Sequence, residues 1–174
     1  MLEYVDNETV ALGRAWYPVA LSREVPDAQP VSVELLGTHW VLTRVGGRLT
    51  AFVDECPHRL LPLSAGSVCG DVLQCAYHGW RFGSDGKAVL IPSNGAGQPV
   101  PPRAQLTTPD GLEERYGAVW LAPLEPVTSI PALDEWEDPT FEVRLDNPAR
   151  TSAGAHQVMD NGCDTSHFGF VHAG

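Results

Sequence analysis

Cys56-Pro57-His58-Arg59 and Cys75-Ala76-Tyr77-His78-Gly79-Trp80 decide the fold of this 174-residue chain. They form a C-x-H pair and a C-x-x-H pair, with sixteen residues between His58 and Cys75. Two thiolates and two imidazoles, delivered by two short loops, can hold a [2Fe–2S] cluster with both cysteines on one iron and both histidines on the other. Neutral imidazoles in place of thiolates lessen the repulsion that an added electron meets. Such a centre moves electrons one at a time, at a potential above that of all-cysteine clusters. A tetrahedral zinc ion accepts the same four ligand types, and unliganded core or surface residues are the other alternative. Zinc fingers usually put like ligands together, whereas each loop here carries one Cys and one His. Pro57 stiffens the first loop, Gly79 permits close backbone approach, and Tyr77 and Trp80 can pack as a shield.

Working outward, short runs of β-branched and aromatic residues lie between fifteen prolines and seventeen glycines, which reads as all-β for the first two thirds. Val31–Leu36 is one run. His39–Val45 and Arg48–Val53 flank Gly46-Gly47, a two-residue hairpin signal, and suit a half-buried pleated surface. Val72–Gln74 feeds the second ligand loop, and Ser84-Asp85-Gly86 turns the chain between Arg81-Phe82 and Ala88–Ile91. Leu112–Tyr116 and Val119–Leu121 close the set. Asn94–Pro102 is a Gly/Pro-rich loop that either covers the ligands or lies on the surface. Pro123–Pro139 lacks periodicity and marks a boundary; Thr140–Leu145 reads as a further strand.

Composition narrows the function. Net charge is −11, from 22 acidic and 11 basic residues, so nucleic acid and anionic membranes are not expected partners. No apolar run reaches membrane-spanning length, and the acidic N-terminus is unlike a signal peptide. With Cys56 and Cys75 assigned as ligands, Cys69 and Cys163 read as free thiols of a reducing compartment, the cytoplasm.

The two ligand motifs, with Arg14–Ala20 and Glu114–Trp120, resemble the N-terminal part of Rieske non-haem iron oxygenases, the aromatic ring-hydroxylating oxygenase alpha-subunit family. The resemblance implies a mainly β fold. A Rieske-type [2Fe–2S] antiparallel β-sandwich over residues 1–135 would be followed by the beginning of an α+β catalytic domain over 136–174. Trp80 stands where respiratory-chain Rieske proteins have a serine, which implies a potential toward the lower end of the Rieske range, because a hydrogen bond to the cluster is lost.

A second constellation lies in Asp160-Asn161-Gly162-Cys163-Asp164-Thr165-Ser166-His167-Phe168-Gly169-Phe170-Val171-His172, which contains D-x-x-H-x₄-H. Two histidines and a carboxylate on one face of a metal is the arrangement of non-haem Fe(II) oxygenases, although surface or capping roles produce the same spacing. Asp164 and His167 share a helical face; His167 and His172 do not. Shared ligation therefore requires a distorted helix, predicted to start near Gln157 and to become irregular near Gly169. By resemblance, His167 and His172 hold the mononuclear iron. Asp164 is the electron bridge to His78 of a neighbouring subunit in a homotrimer. Asp160 and Asn161 match positions around these ligands, with helix-start capping an equal reading. His39 and His156 belong to no motif.

The family's third, acidic iron ligand is absent from this chain, as is the substrate pocket, so the resemblance implies a fragment that binds the cluster and is inactive alone. NAD(P)H-derived electrons would reach the [2Fe–2S] cluster from a flavin/iron-sulfur reductase, directly or through a ferredoxin. They would pass to Fe(II) for O₂-dependent hydroxylation or demethylation of an apolar substrate, aromatic or steroid-like. The alternative is a Rieske-type ferredoxin, a carrier with no chemistry of its own; such a protein would end near Pro123.

Overall fold

The computed structural model describes residues 9–145, 149 and 151–171, and it divides into two compact units between Phe141 and Glu142. The first unit begins with a short helix, α1 (Val10–Gly13), followed by β1 (Tyr17–Leu21), β2 (Val31–Leu35), β3 (Thr38–Val45) and β4 (Arg48–Val53). After the first ligand loop come β5 (Ser67–Cys69) and β6 (Val72–Gln74); after the second come β7 (Arg81–Phe82), β8 (Ala88–Leu90), β9 (Gly111–Arg115) and β10 (Ala118–Ala122). Three antiparallel sheets result, in the orders β1-β10-β9, β2-β3-β4 and β5-β6-β7-β8. The Gly46-Gly47 hairpin forms as its sequence predicts: both glycines have positive φ, and Val45 pairs with Arg48.

The β2-β3-β4 sheet is the middle layer, and that explains β3. Trp40, Val41, Leu42 and Thr43 are all buried, so β3 is covered on both faces rather than half-buried. On one face Val41, Val45 and Phe52 join Leu63, Leu73, Phe82 and the cysteines Cys56 and Cys75. On the other, Trp40, Leu42 and Ala51 pack with Val119 and Leu121. Burying each large side chain contributes about 1.5–3 kcal/mol, so the layer that carries the ligand loops is also the best-anchored part of the molecule.

Residues 123–139 do more than mark a boundary. The Trp16 indole N–H donates to the Thr128 carbonyl, 2.9 Å away, and Ile130 is buried. The backbone N–H of Leu133 donates to the Tyr116 hydroxyl, and Trp136, in α2 (Asp134–Glu137), lies 5.4 Å from the Tyr116 ring. The segment is thus strapped onto the first unit, which extends to Phe141. The strand expected at Thr140–Leu145 does not form. The Asp138 carboxylate accepts from the Thr140 N–H at 2.8 Å and from its hydroxyl at 2.7 Å, and this local turn competes with extended pairing.

The second unit contains α3 (Ala155–Cys163), a 3₁₀ turn at Thr165–His167, and α4 (Phe168–Val171). The expected helical irregularity exists but lies at Asp164, whose φ of −82° and ψ of 91° are extended, rather than at Gly169 inside α4. The cause is side-chain chemistry: the Asp164 carboxylate accepts the Ser166 N–H and so caps a new turn. Asp160 and Asn161 lie in the C-terminal half of α3, which removes the helix-start capping reading for both. Among the described residues, no helix is long and apolar enough to cross a membrane.

Candidate metal centre

The two ligand loops share one backbone plan despite their different sequences. In the first, the Cys56 N–H donates to the Leu61 carbonyl at 2.9 Å, and the Leu60 N–H returns to the Cys56 carbonyl at 2.8 Å. In the second, the Cys75 N–H donates to the Trp80 carbonyl at 2.9 Å, and the Gly79 N–H returns to the Cys75 carbonyl at 3.2 Å. The fourth residue after each cysteine is left-handed: Leu60 at φ 57° and Gly79 at φ 68°. One loop places its histidine two residues after the cysteine and the other three residues after it. Even so, both rings arrive at the same end of the site.

That end is the outer one. His58 and His78 are exposed, with ring centroids 4.6 Å apart, while Cys56 and Cys75 are buried to 2% exposure in the core below. A small pocket joins the two pairs, lined also by Leu61, Tyr77 and Trp80. The Trp80 indole stacks on His58 at 4.8 Å and within 8° of parallel, and Tyr77 covers His78 at 3.8 Å. The shield read from the sequence is therefore a pair of specific ring contacts. Ser93 and Arg103 line a hollow of about 310 Å³ beside His58 and Trp80, with Asn94 and Pro101, the ends of the Gly/Pro-rich loop, on its wall.

Burial pushes the Cys56 thiol up to about 11; the N–H groups of His58 and Arg59 oppose the shift, and the adjacent Cys75 sulfur adds to it. Holding two thiolates in this core requires a positive centre between them, which iron supplies. His58 is shifted below the ordinary imidazole range by loss of surrounding water and by the charges of His78 and Arg59, which favours the neutral, ligating form. Among the described residues, no three His, Cys, Asp or Glu side chains converge closely enough to hold one ion. Two ligands at each end of an elongated pocket fit a two-iron cluster and do not fit a tetrahedral zinc ion. The site fits the [2Fe–2S] group.

The second constellation is built differently. Asp164 Oδ2 lies 3.5 Å from His167 Nδ1, so the i, i+3 pair does meet, across the 3₁₀ turn. The Asp164 carboxyl is held below its usual range, first by the Ser166 hydroxyl, then by the Ser166 N–H and His167. His172 lies outside the described residues.

The sequence model of the Rieske [2Fe–2S] domain matches residues 15–109. The chain belongs to this family. It is 34% identical to the methylxanthine N1-demethylase NdmA of Pseudomonas putida, over 98% of this chain and 50% of that protein. The solved NdmA structure superposes with a TM-score of 0.88 at 32% identity, covering 97% of this chain and 53% of that one. The methylxanthine N3-demethylase NdmB of the same organism is 35% identical over 91% of this chain and 47% of its own length. The dicamba O-demethylase oxygenase component of Stenotrophomonas maltophilia is 32% identical over 91% of this chain and 47% of its own length. The chain spans about half the length of these relatives.

Within the Rieske domain, two contributors to the site escaped sequence reasoning. Asp54, buried at the end of β4, accepts from the Ser32 hydroxyl at 2.9 Å, the Ser64 N–H at 2.7 Å and the Ser64 hydroxyl at 2.6 Å. It ties both ends of the first ligand loop to β2. Its position directly before Glu55-Cys56 was the only available signal. Leu60 was the other: nothing in Cys-Pro-His-Arg-Leu announces a left-handed leucine.

Proposed function

We propose that this chain is the cluster-carrying part of the oxygenase component of a Rieske non-haem iron oxygenase that demethylates or hydroxylates a small apolar substrate, aromatic or steroid-like. Cys56 and Cys75 hold the inner iron, and His58 and His78 the outer one. Bound there, the cluster takes up electrons singly from a reductase, and Fe(II) at the second site uses them with O₂. Asp164 fixes His167 through Nδ1, which presents Nε2 for ligation, and His172 supplies the second imidazole. Trp80 and Tyr77 orient the outer imidazoles and keep water from their faces. The protein works as a homotrimer in the cytoplasm, with His78 of one subunit opposite Asp164 of its neighbour, and residues 136–174 open the catalytic domain.

One observation carries this reading. The similarity to the demethylases runs over 98% of the chain, well past the Rieske domain and through the D-x-x-H segment. A ferredoxin-type carrier has no use for that segment. The test takes the full-length gene product with NAD(P)H, its reductase and a panel of N- and O-methyl aromatics, and measures formaldehyde release. Substrate-dependent formaldehyde or hydroxylated product is expected. Cluster turnover without O₂ consumption on any substrate would return the protein to the carrier class.

A further inference from the structure

Leu60 is an anomaly that the site itself does not explain. It sits at φ 57°, and its side chain is 66% exposed. A left-handed conformation costs a residue with a Cβ roughly 1–2 kcal/mol. The sister loop has glycine at the equivalent position, so the backbone plan does not require a side chain there. Core packing does not compensate, because most of the leucine faces solvent. A strained, exposed apolar residue at the mouth of a metal site points to a role outside the chain. Tyr77, 62% exposed and lying over His78, adds a second apolar group at the same end.

Charge is segregated around this end. Residues 56–109 hold four basic and two acidic residues, in a chain whose net charge is −11. Lys87 pairs with Asp85 at 3.0 Å, which leaves Arg59, Arg81 and Arg103 against Asp71. Arg59 acts electrostatically on His58, and Arg103 lines the hollow beside that ring. Both are exposed. Glu55 is the carboxylate nearest in sequence, and it lines a separate hollow with Leu60 and His39. An apolar centre with a cationic rim, on an otherwise acidic molecule, selects a partner with an acidic face and repels other faces of this chain.

We infer that Leu60 and Tyr77, rimmed by Arg59 and Arg103, form the docking surface for an acidic one-electron carrier protein. This rests on the reading of the chain as an electron-receiving component. The carrier, reduced, presses its own centre against the exposed imidazole end. One electron leaves it and enters the cluster, the carrier is oxidised by one equivalent, and no proton or bond is exchanged. The steered approach raises the encounter rate, and the apolar pair excludes water from the contact.

The test is stopped-flow reduction of the cluster-loaded chain by two donors: an acidic plant-type [2Fe–2S] ferredoxin, reduced, and the small cation hexaammineruthenium(II), which needs no docking. The double variant Arg59→Gln/Arg103→Gln should slow the ferredoxin reaction about ten-fold at low salt and much less at high salt. Leu60→Gly, which keeps the backbone and deletes the side chain, should slow it roughly five-fold at any salt. Leu60→Asn, a polar residue that tolerates the left-handed region, should behave as Leu60→Gly. All variants should keep the visible spectrum and react with hexaammineruthenium(II) within about two-fold of the parent. Ferredoxin reduction of the leucine variants at the parent rate would overturn the docking surface, as would a change in oligomeric state with the ferredoxin rate intact. If hexaammineruthenium(II) reduces no cluster in the parent chain, the electron-receiving reading falls, and the surface falls with it.

Discussion

The two ligand-bearing regions are opposite kinds of construction. Around Cys56, His58, Cys75 and His78, backbone hydrogen bonds fix both loops, and a buried carboxylate and a doubly covered sheet hold them from below. Around Asp164 and His167, the residues are mostly exposed, the helices are short, and the geometry rests on one side-chain cap and one 3.5 Å contact. The difference teaches where each centre draws its order. The cluster site is preorganised by its own unit, and its ligands are part of the hydrophobic core. The second site is positioned only locally by this segment.

Substitutions can break or sharpen that contrast. The largest effect is expected from Cys75→Ser, which removes a ligand from the core. The cluster's visible absorbance should vanish and thermal stability should fall sharply. A variant with an unchanged spectrum would defeat the assignment. Next comes Asp54→Ala, which strands the Ser64 N–H and two hydroxyls, at a cost of about 2–4 kcal/mol by chemical denaturation. His167→Ala should leave both the absorbance and the unfolding midpoint of the first unit where they were. A loss comparable to that of Asp54→Ala would erase the contrast.

Smaller effects test the scaffold. Gly79→Ala should cost roughly 1–2 kcal/mol for its left-handed backbone, with the added Cβ only 3.3 Å from Pro92 Cγ. The smallest is a pH effect at Glu114, which accepts two hydrogen bonds from Arg44, at 3.0 and 2.8 Å, and so links β9 to β3. Its carboxyl is shifted down, first by that hydrogen bond, against the opposing effect of burial. A carboxyl with a depressed folded pKa contributes stability above its unfolded pKa and loses it as pH falls through the folded value. Glu114→Gln should therefore lower Tm slightly at neutral pH, and the gap should close below the ordinary carboxylate range.

Much of this was legible because the chemistry is local. The C-x-H and C-x-x-H spacings specify the cluster without a structure. The Gly46-Gly47 hairpin and the turn at Ser84-Asp85-Gly86 depend on residues that set φ themselves. β1 and β5 were missed for the same reason. Tyr17–Leu21 carries a proline and gains its strand character only by pairing with β10, and Ser67–Cys69 is three residues long. The strand expected at Thr140–Leu145 failed because an Asp138 turn competes there, and the helix break moved to Asp164 because its carboxylate caps the next turn.

By itself the sequence determined which atoms can bind metal, since ligand identity and spacing are covalent facts. It also determined that short antiparallel strands must carry those atoms. Only the tertiary structure decided that β3 is covered on both faces, that the thiols lie inside and the imidazoles outside, and that Leu60 mirrors Gly79. Those outcomes depend on which distant segments pack together. Burial and backbone strain are properties of that packing and are not written in any one stretch of chain.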